Sequence, residues 1–410
     1  MKENSLVVVP TQIPTISLQR DISKHLKRGH RWIYSDSFGS QSDSLKNYSG
    51  LAYLHIKNEP LGIGIYQADS PLRFRMFCLA DEPFYKKNDL IKTLTHWSQQ
   101  QWKKAVEVRS AFDTQRTNSY RLINGEGDGL PGLVIDIYAN TAVVKFDHPL
   151  FEEKIWNLES LISNLRVAFP SIECIYLKRK NDESEKGKNL FGILPNEVKF
   201  LENDLFFSAN IRDGSKTGFF LDQRDNRNLI KQFSNNKSVL NLFSYTGGFS
   251  VYACAGGAKS VTSVDIAKPA IEALNKNFEI NHLKTKTDNI AADAFLYLTE
   301  AIQEKLKFDL VINDPPSFAP NAKSIPQATA AYTKIFSDSL RLVQSNGFFA
   351  ASSCSSHISN SMFLEIIKEA FSKSRRRGTL IQMGNQPFDH PYPLAMDELR
   401  YLKFALFRAD

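Results

Sequence analysis

Cysteine is scarce: 410 residues hold four, Cys78, Cys174, Cys254 and Cys354, with no C-x-x-C spacing among them. That excludes a disulfide scaffold and a cysteine-rich zinc site, and it fits a reducing compartment. Long apolar runs are missing too. No stretch approaches the roughly 18 apolar residues of a membrane span, and the run from Leu6 to Pro10 is too short for the core of a secretory signal. The expectation is a cytoplasmic protein with no membrane partner and no metal. Also absent is the G-x-G-x-x-G loop that cradles a pyrophosphate, which argues against a nicotinamide dehydrogenase.

What is present is ordinary for a soluble protein, 42% hydrophobic and 23% charged, in a chain long enough for roughly two to three domains. Lys and Arg number 51 against 44 for Asp and Glu, giving a net charge of +7 and a pI near 9.0. Such an excess suits a polyanion, foremost RNA, although solvated surface lysines alone can produce it.

The chain divides by pattern. Residues 1–80 alternate apolar and polar positions with glycine punctuation, as in Leu61-Gly-Ile-Gly-Ile-Tyr66, and predict a small β-barrel. Lys24, Lys27, Arg28, His30 and Arg31 flank Trp32 and Tyr34. Such a mixture offers charges to phosphates and rings to bases, and Lys27, Arg28 and Arg31 are the candidate RNA contacts. The alternative is a core role for both aromatics beside a solvated basic face. Residues 81–205 predict an α+β unit: a helix over 81–111, two strands around the glycine-dense turn 125–132, a helix from about Phe151 to Asn164, a strand over 172–178, a mobile polar loop from Asn181 to Lys188, and a hairpin around Asn203-Asp204. From 206 to 410, strand and helix patterns alternate, which predicts an open parallel sheet with helices on both faces.

Within that third region, Ser238–Asp265 reads as a buried strand, a turn with Gly247 and Gly248, a helix, and a second strand ending on a carboxylate. Asp265 stands where a carboxylate accepts both hydroxyls of a ribose, and glycines lacking Cβ let a ligand approach the backbone. A nucleoside-bearing cofactor is expected. Further on, Asp314-Pro-Pro-Ser317 and Ser353-Cys-Ser355 close two more strands, predicted to be neighbours and so to open on the same crevice.

Five motifs stand in this order: Gly127-Asp-Gly-Leu-Pro-Gly-Leu133, Lys216-Thr-Gly-Phe-Phe-Leu-Asp-Gln-Arg224, Asn241-Leu-Phe-Ser-Tyr-Thr-Gly-Gly-Phe-Ser250, Asp314-Pro-Pro-Ser-Phe318 and Ser353-Cys-Ser355. Together they resemble the class I S-adenosylmethionine-dependent methyltransferases that make 5-methylcytosine in 23S ribosomal RNA. The likeness spans nearly the whole chain. It implies an N-terminal PUA-like domain, an α+β middle domain and a Rossmann-like methyltransferase domain, with 23S ribosomal RNA as partner and a homodimer as a compatible assembly. It puts the methionine end of S-adenosylmethionine near Phe243, Tyr245, Thr246 and Gly247, the ribose on Asp265, and the adenine on Asp293 with Ala294 and Phe295. Phe220, Asp222, Gln223 and Arg224 close over the methionine, with Asp314 reaching both cofactor and base. Phe220, Phe243 and Phe295 are equally open to a core role.

The resemblance further implies a covalent reaction. Cytosine C5 is a poor nucleophile, and a Cys354 thiolate adding at C6 turns the ring into an enamine whose C5 attacks a sulfonium methyl. Cys354 then needs a lowered pKa, from a following helix N-terminus or a nearby cation. Asp314, Pro315, Pro316 and Ser317 hold the base. Many RNA 5-methylcytosine enzymes carry a second cysteine after the Pro-Pro; here Ser317 stands there, so product release must use Asp314, His357 or water. Cys354 as a small buried residue, guanine methylation without an adduct, and a non-catalytic RNA-binding or assembly protein are the alternatives.

Overall fold

The structure, a computed structural model, describes residues 5–39, 43–86, 89–179 and 186–410. Its first sheet has five strands in the order Thr15–Leu18, Ser49–Ile56, Glu59–Gln67, Leu72–Leu79, Trp32–Tyr34. Strand periodicity turns Ile33 into the core and its neighbours outward. Tyr34 is thus exposed, and Trp32 is half-buried with its indole N–H donating to Glu126 at 2.9 Å, which corrects the core reading of these two aromatics.

The middle unit is a second five-stranded sheet, ordered Gly187–Phe191, Cys174–Lys178, Thr141–Phe146, Leu133–Tyr138, Ser119–Asn124. The helix expected over 81–111 is Leu90–Arg109, started by Asp89, whose carboxylate accepts from the Lys92 N–H. Its Trp97 stacks on Phe77 of the first sheet with centroids 4.3 Å apart. Leu51, Ile63 and Phe77 of the first unit share one apolar cluster with Leu94, Leu122 and Ile135 of the second. The boundary at 80 therefore divides the chain but not the core. The expected helix from Phe151 is a short turn, Phe151–Ile155, followed by the helix Leu158–Ala168. Of the polar run predicted as a mobile loop, 181–185 lie outside the described residues, and Gly187 onward is a strand.

The hairpin Val198–Glu202 and Leu205–Ala209 turns at Asn203 and Asp204, with φ of 50° and 67°. These are left-handed values that a two-residue hairpin requires and that Asn and Asp tolerate. Phe200 and Phe207 pack with Phe219 and Tyr252 of the third unit while Phe200 also packs on Tyr138 of the second, so the boundary drawn at 205 falls inside a hairpin that both units share.

The third unit is a seven-stranded sheet, ordered Lys286–Ala291, Ser260–Asp265, Ser238–Leu242, Phe308–Asn313, Val343–Ser353, Lys403–Ala409, Gly378–Gly384. The first five are parallel; Lys403–Ala409 runs antiparallel to both neighbours, so the sheet is mixed rather than wholly parallel. Helices cover both faces because the central strands are apolar throughout; Ile325–Leu342 buries Ala328, Tyr332, Ile335, Phe336 and Leu340 as one stripe. Strand order reverses at Ser238–Leu242, which opens a crevice beyond its carboxyl end. Among the described residues no helix is long and apolar enough to cross a membrane, and no cluster of His, Cys, Asp or Glu could hold a metal ion.

Residues 385–402 tie the three units together. Asp389 accepts from both Arg224 terminal nitrogens, at 3.1 and 2.9 Å, and from the Arg121 N–H; its own carbonyl accepts from Arg109. His30 bonds Glu398 at 2.9 Å. Gly127 lies so close that a Cβ there would sit 1.9 Å from the Pro391 carbonyl oxygen. A second buried pair joins Arg227 to Glu202 through two hydrogen bonds of 2.8 and 2.7 Å.

Although burial opposes it, Arg224 holds the Asp389 carboxyl far below the ordinary range. A group with a depressed folded pKa stabilises the fold above its unfolded value near 4, and that contribution is lost as pH falls. Asp389→Ala should lower the unfolding free energy by about 3–5 kcal/mol, because it strands a buried guanidinium, and should flatten the loss of stability below pH of about 4. Urea denaturation across pH checks both effects.

Candidate active site

At the switch point, the strand Ser238–Leu242 runs into a turn whose Phe243, Tyr245 and Gly247 all have positive φ, 58°, 46° and 81°. Two of these are not glycine, a strain of about 1–3 kcal/mol each that clusters at functional sites. The turn is held by the Tyr245 N–H donating to Asp265 at 2.8 Å, the Ser244 N–H to the Val264 carbonyl at 3.0 Å, and the Ser215 N–H to the Tyr245 hydroxyl at 3.0 Å. Gly247 then opens the helix Gly248–Ala255. The missing Cβ atoms also serve packing: at Gly247 a Cβ would meet Leu274 at 2.5 Å, and at Gly248, which lines the cavity beyond the turn, it would meet Arg227 at 3.0 Å.

A cavity of about 270 Å³ lies beyond this turn. Its walls include Phe220, Asp222, Gln223, Phe243, Tyr245, Thr246, Asp265, Asp314, Pro315, Pro316 and Cys354, so most of the sequence-predicted site converges there. Lys216, Ser244, Ile266 and Leu402 line it as well and escaped the sequence reading. Ile266 had a legible signal: an apolar residue directly after a strand-end carboxylate, left 71% exposed.

Other candidates stand elsewhere. Arg224 is buried, its guanidinium bonded to Asp389 and lying over the Phe112 ring, and it is not among the residues that line the cavity. Asp293 caps the helix Ala294–Gln303, accepting from the Phe295 and Leu296 N–H groups at 2.8 and 3.1 Å; Ala294 is buried in that helix and Phe295 packs near Phe318. None of the three lines the cavity. Ser317 hydrogen-bonds Ser355 at 2.9 Å behind the Pro-Pro. In the first domain Arg31 is paired with Glu82, Lys27 lies 3.5 Å from Asp81 on the surface, and Arg28 faces solvent.

Several polar atoms of the cavity wall are buried without a hydrogen-bond partner: Ser244 Oγ, Thr246 Oγ1 and Asp222 Oδ1. Each carries a desolvation cost of about 1–3 kcal/mol or more unless something in the cavity satisfies it. Asp222 takes a hydrogen bond from Lys216 at 2.6 Å and from the Tyr401 hydroxyl at 2.7 Å on its other oxygen. Against its burial, the Lys216 ammonium keeps Asp222 ionised, far below the usual range. Asp265 keeps accepting capacity on both oxygens after the Tyr245 and Ala267 N–H groups. This donor and acceptor set fits the ribose and the zwitterionic methionine end of S-adenosylmethionine.

On the opposite wall Asp314 accepts from Gln223 Nε2 at 2.9 Å. Burial pushes it up to about 6, with Asp222 adding to the effect and hydrogen bonding from Ser352 and Gln223 opposing it. Burial likewise pushes the Cys354 thiol up, helped by Asp314 and Asp222 and opposed by Lys216 and Lys403. The lowered thiol pKa expected from the sequence is thus not found in the ligand-free chain. No helix starts directly behind Cys354, since the next one begins at Asn360, and His357 is exposed on the intervening turn.

Asp265→Ala should weaken S-adenosylmethionine binding at least about tenfold, the loss of hydrogen bonds worth roughly 1.5–3 kcal/mol to a charged acceptor. Isothermal titration calorimetry reads this directly, and unchanged affinity would remove Asp265 from the cofactor site.

A family model for S-adenosylmethionine-dependent methyltransferases matches residues 172–384, and one for PUA-like domains matches residues 16–78. The chain is 32% identical over 393 residues to a ribosomal RNA large subunit methyltransferase I of Alteromonas mediterranea, covering 95% of this chain and 97% of that one. It is 32% identical over 401 residues to a ribosomal RNA large subunit methyltransferase of Deinococcus radiodurans, covering 94% and 95%. The crystal structure of SMU.776 complexed with SAH superposes with a TM-score of 0.81 at 26% identity, over 97% of this chain and all of that one. With a PUA-like domain, this mixed sheet and a cavity of matching chemistry, the chain belongs to the S-adenosylmethionine-dependent methyltransferases, in the family of the ribosomal RNA large subunit enzymes.

Proposed function

We propose that this enzyme methylates C5 of a cytosine in large-subunit ribosomal RNA through an adduct on Cys354. One observation carries the reading: Cys354, Asp314 and Asp265 line a single cavity, on three different strand ends. A nucleophile, a carboxyl group for the base edge and a ribose-binding carboxylate then share one space. The names of the relatives support ribosomal RNA as the substrate class.

S-adenosylmethionine supplies a methyl group on a positively charged sulfur. Asp265 would hold its ribose, Ile266 would flank its base, and Asp222 with Ser244 and Thr246 would receive the ammonium and carboxylate of its methionine end. Asp314 faces the cytosine edge. Below about pH 6 its carboxyl is neutral and donates to N3, drawing electron density from the ring and easing attack at C6; above that it accepts from N4. Cys354 Sγ supplies the electron pair for the bond to C6. When C5 has taken the methyl group its proton must leave and the sulfur–carbon bond must break, and Asp314 is the cavity-lining base on hand for that proton.

The basic face of the first domain, with Lys24 and Arg28 open to solvent, supports RNA contact there. The edge strand Gly378–Gly384, with Leu380 and Ile381 exposed, is the surface that supports a homodimer. A cytoplasmic location follows from a ribosomal RNA substrate.

Guanine methylation without an adduct is the rival, favoured by the raised Cys354 thiol. Cys354→Ala should abolish 5-methylcytosine while leaving cofactor binding intact. Mass spectrometry of nuclease-digested ribosomal RNA, after incubation with labelled cofactor, decides between them: methylguanosine in place of 5-methylcytosine, or full activity of the variant, would exclude the covalent route.

A further inference from the structure

The strand Lys403–Ala409 carries one residue that does not suit its surroundings. Lys403 is buried, 1% exposed, between the apolar Leu402 and Phe404 in the interior of a seven-stranded sheet. Its register partner on the neighbouring strand is Ser353, the residue before Cys354. The ammonium donates to the Ser355 carbonyl at 2.5 Å and to the Tyr401 carbonyl at 2.7 Å, so it grips the chain just past Cys354 from one side and the cavity-lining segment 401–402 from the other. Both acceptors are neutral. A buried cation answered only by carbonyls is costly, and such groups concentrate where charge is used.

Two cations face Cys354, Lys216 and Lys403; the carboxyls facing it are Asp314 and Asp222, and Tyr332 approaches from the helix Ile325–Leu342. Lys216 is already paired with Asp222 at 2.6 Å and lies over the Phe220 ring. Lys403 has no carboxylate partner among the described residues, and the titratable group that faces it is Cys354. Burial brings Lys403 down to about 8, with Cys354 pulling it back up, so at neutral pH it is mostly protonated.

We infer that Lys403 is a positioning residue for the nucleophile: anchored to the Ser355 and Tyr401 carbonyls, it fixes the turn that presents Cys354 and supplies the uncompensated positive charge against which the thiol ionises. The proton of Sγ–H leaves to water, the sulfur keeps the electron pair that forms the bond to C6, and Lys403 retains its own protons throughout. The inference rests on Cys354 being the nucleophile, but its test reads the sulfur and not methyl transfer.

The experiment is alkylation of the full chain by iodoacetamide between pH 6 and 7.5, where Lys403 is mostly protonated, followed by mass spectrometry of the peptide bearing Cys354, for wild type, Lys403→Gln and Lys403→Arg. Gln can still donate to a carbonyl but carries no charge. Loss of the cation should shift the alkylation profile upward by about one pH unit, which slows modification about tenfold at pH 7.5. Arg should restore most of the rate. Calorimetric binding of S-adenosylmethionine reports that each variant is folded; should Lys403→Gln not fold, Lys403→Met and the Arg profile carry the same comparison. An unchanged profile in the uncharged variant, or an Arg variant as slow as the Gln one, overturns the inference. Cys354→Ala with full methylation would sink the nucleophile reading alone, because the alkylation profile does not depend on it.

Discussion

Arg224 and Arg227 lie one helical turn apart, and each reaches a buried carboxylate from a different part of the chain: Asp389 in the C-terminal segment and Glu202 in the hairpin. That double clamp is the constraint on which the cavity depends. Both residues belong to the helix that follows Phe220, Asp222 and Gln223, so the pairs that fix the helix also fix the wall above the cofactor site. The pairs are exchanged for several kcal/mol of desolvation per ion and are stable only because they are bidentate or doubly bonded. In this arrangement both guanidinium groups find a buried carboxylate.

The same segment that ends one clamp reaches into the chemistry. From Asp389 the chain passes Glu398, bonded to His30 of the first domain, then Tyr401, which bonds Asp222, then Leu402 on the cavity wall, and Lys403 behind Cys354. A single run of residues thus touches the first domain, the Asp222 side of the cavity and the Cys354 side.

The electrostatics of the cavity sort two of its three carboxyls, Asp222 and Asp314, into different states. Asp222 is ionised because Lys216 stands against it at 2.6 Å; Asp314, with no ion pair of its own, is pushed up to about 6 by burial. Two like groups in one cavity with separated pKa values can take different roles, one as a fixed negative charge for an ammonium and one as a proton carrier beside the base. The linkage has opposite signs for them: Asp314 favours the fold below about pH 4 and loses that as pH rises through 6, whereas Asp222 behaves as Asp389 does.

Much of this was legible in the linear chain. Strand-end carboxylates after apolar runs, the glycine turn, the Pro-Pro after Asp314 and the lone cysteine at a strand end are local patterns, and the parallel sheet brings strand ends together by rule, so Asp265, Asp314 and Cys354 converge as expected. What the chain alone left open depended on partners distant in sequence. Arg224 looked like a cofactor contact until Asp389, 165 residues on, claimed it. Asp293 has one carboxylate oxygen engaged by a helix start, Arg31 is paired with Glu82, and Lys403 acquired meaning only when antiparallel pairing set it across from Ser353. Residue type and spacing fix which chemistry a chain can bring; hydrogen bonds and ion pairs formed across long separations decide which of its groups remain free to perform it.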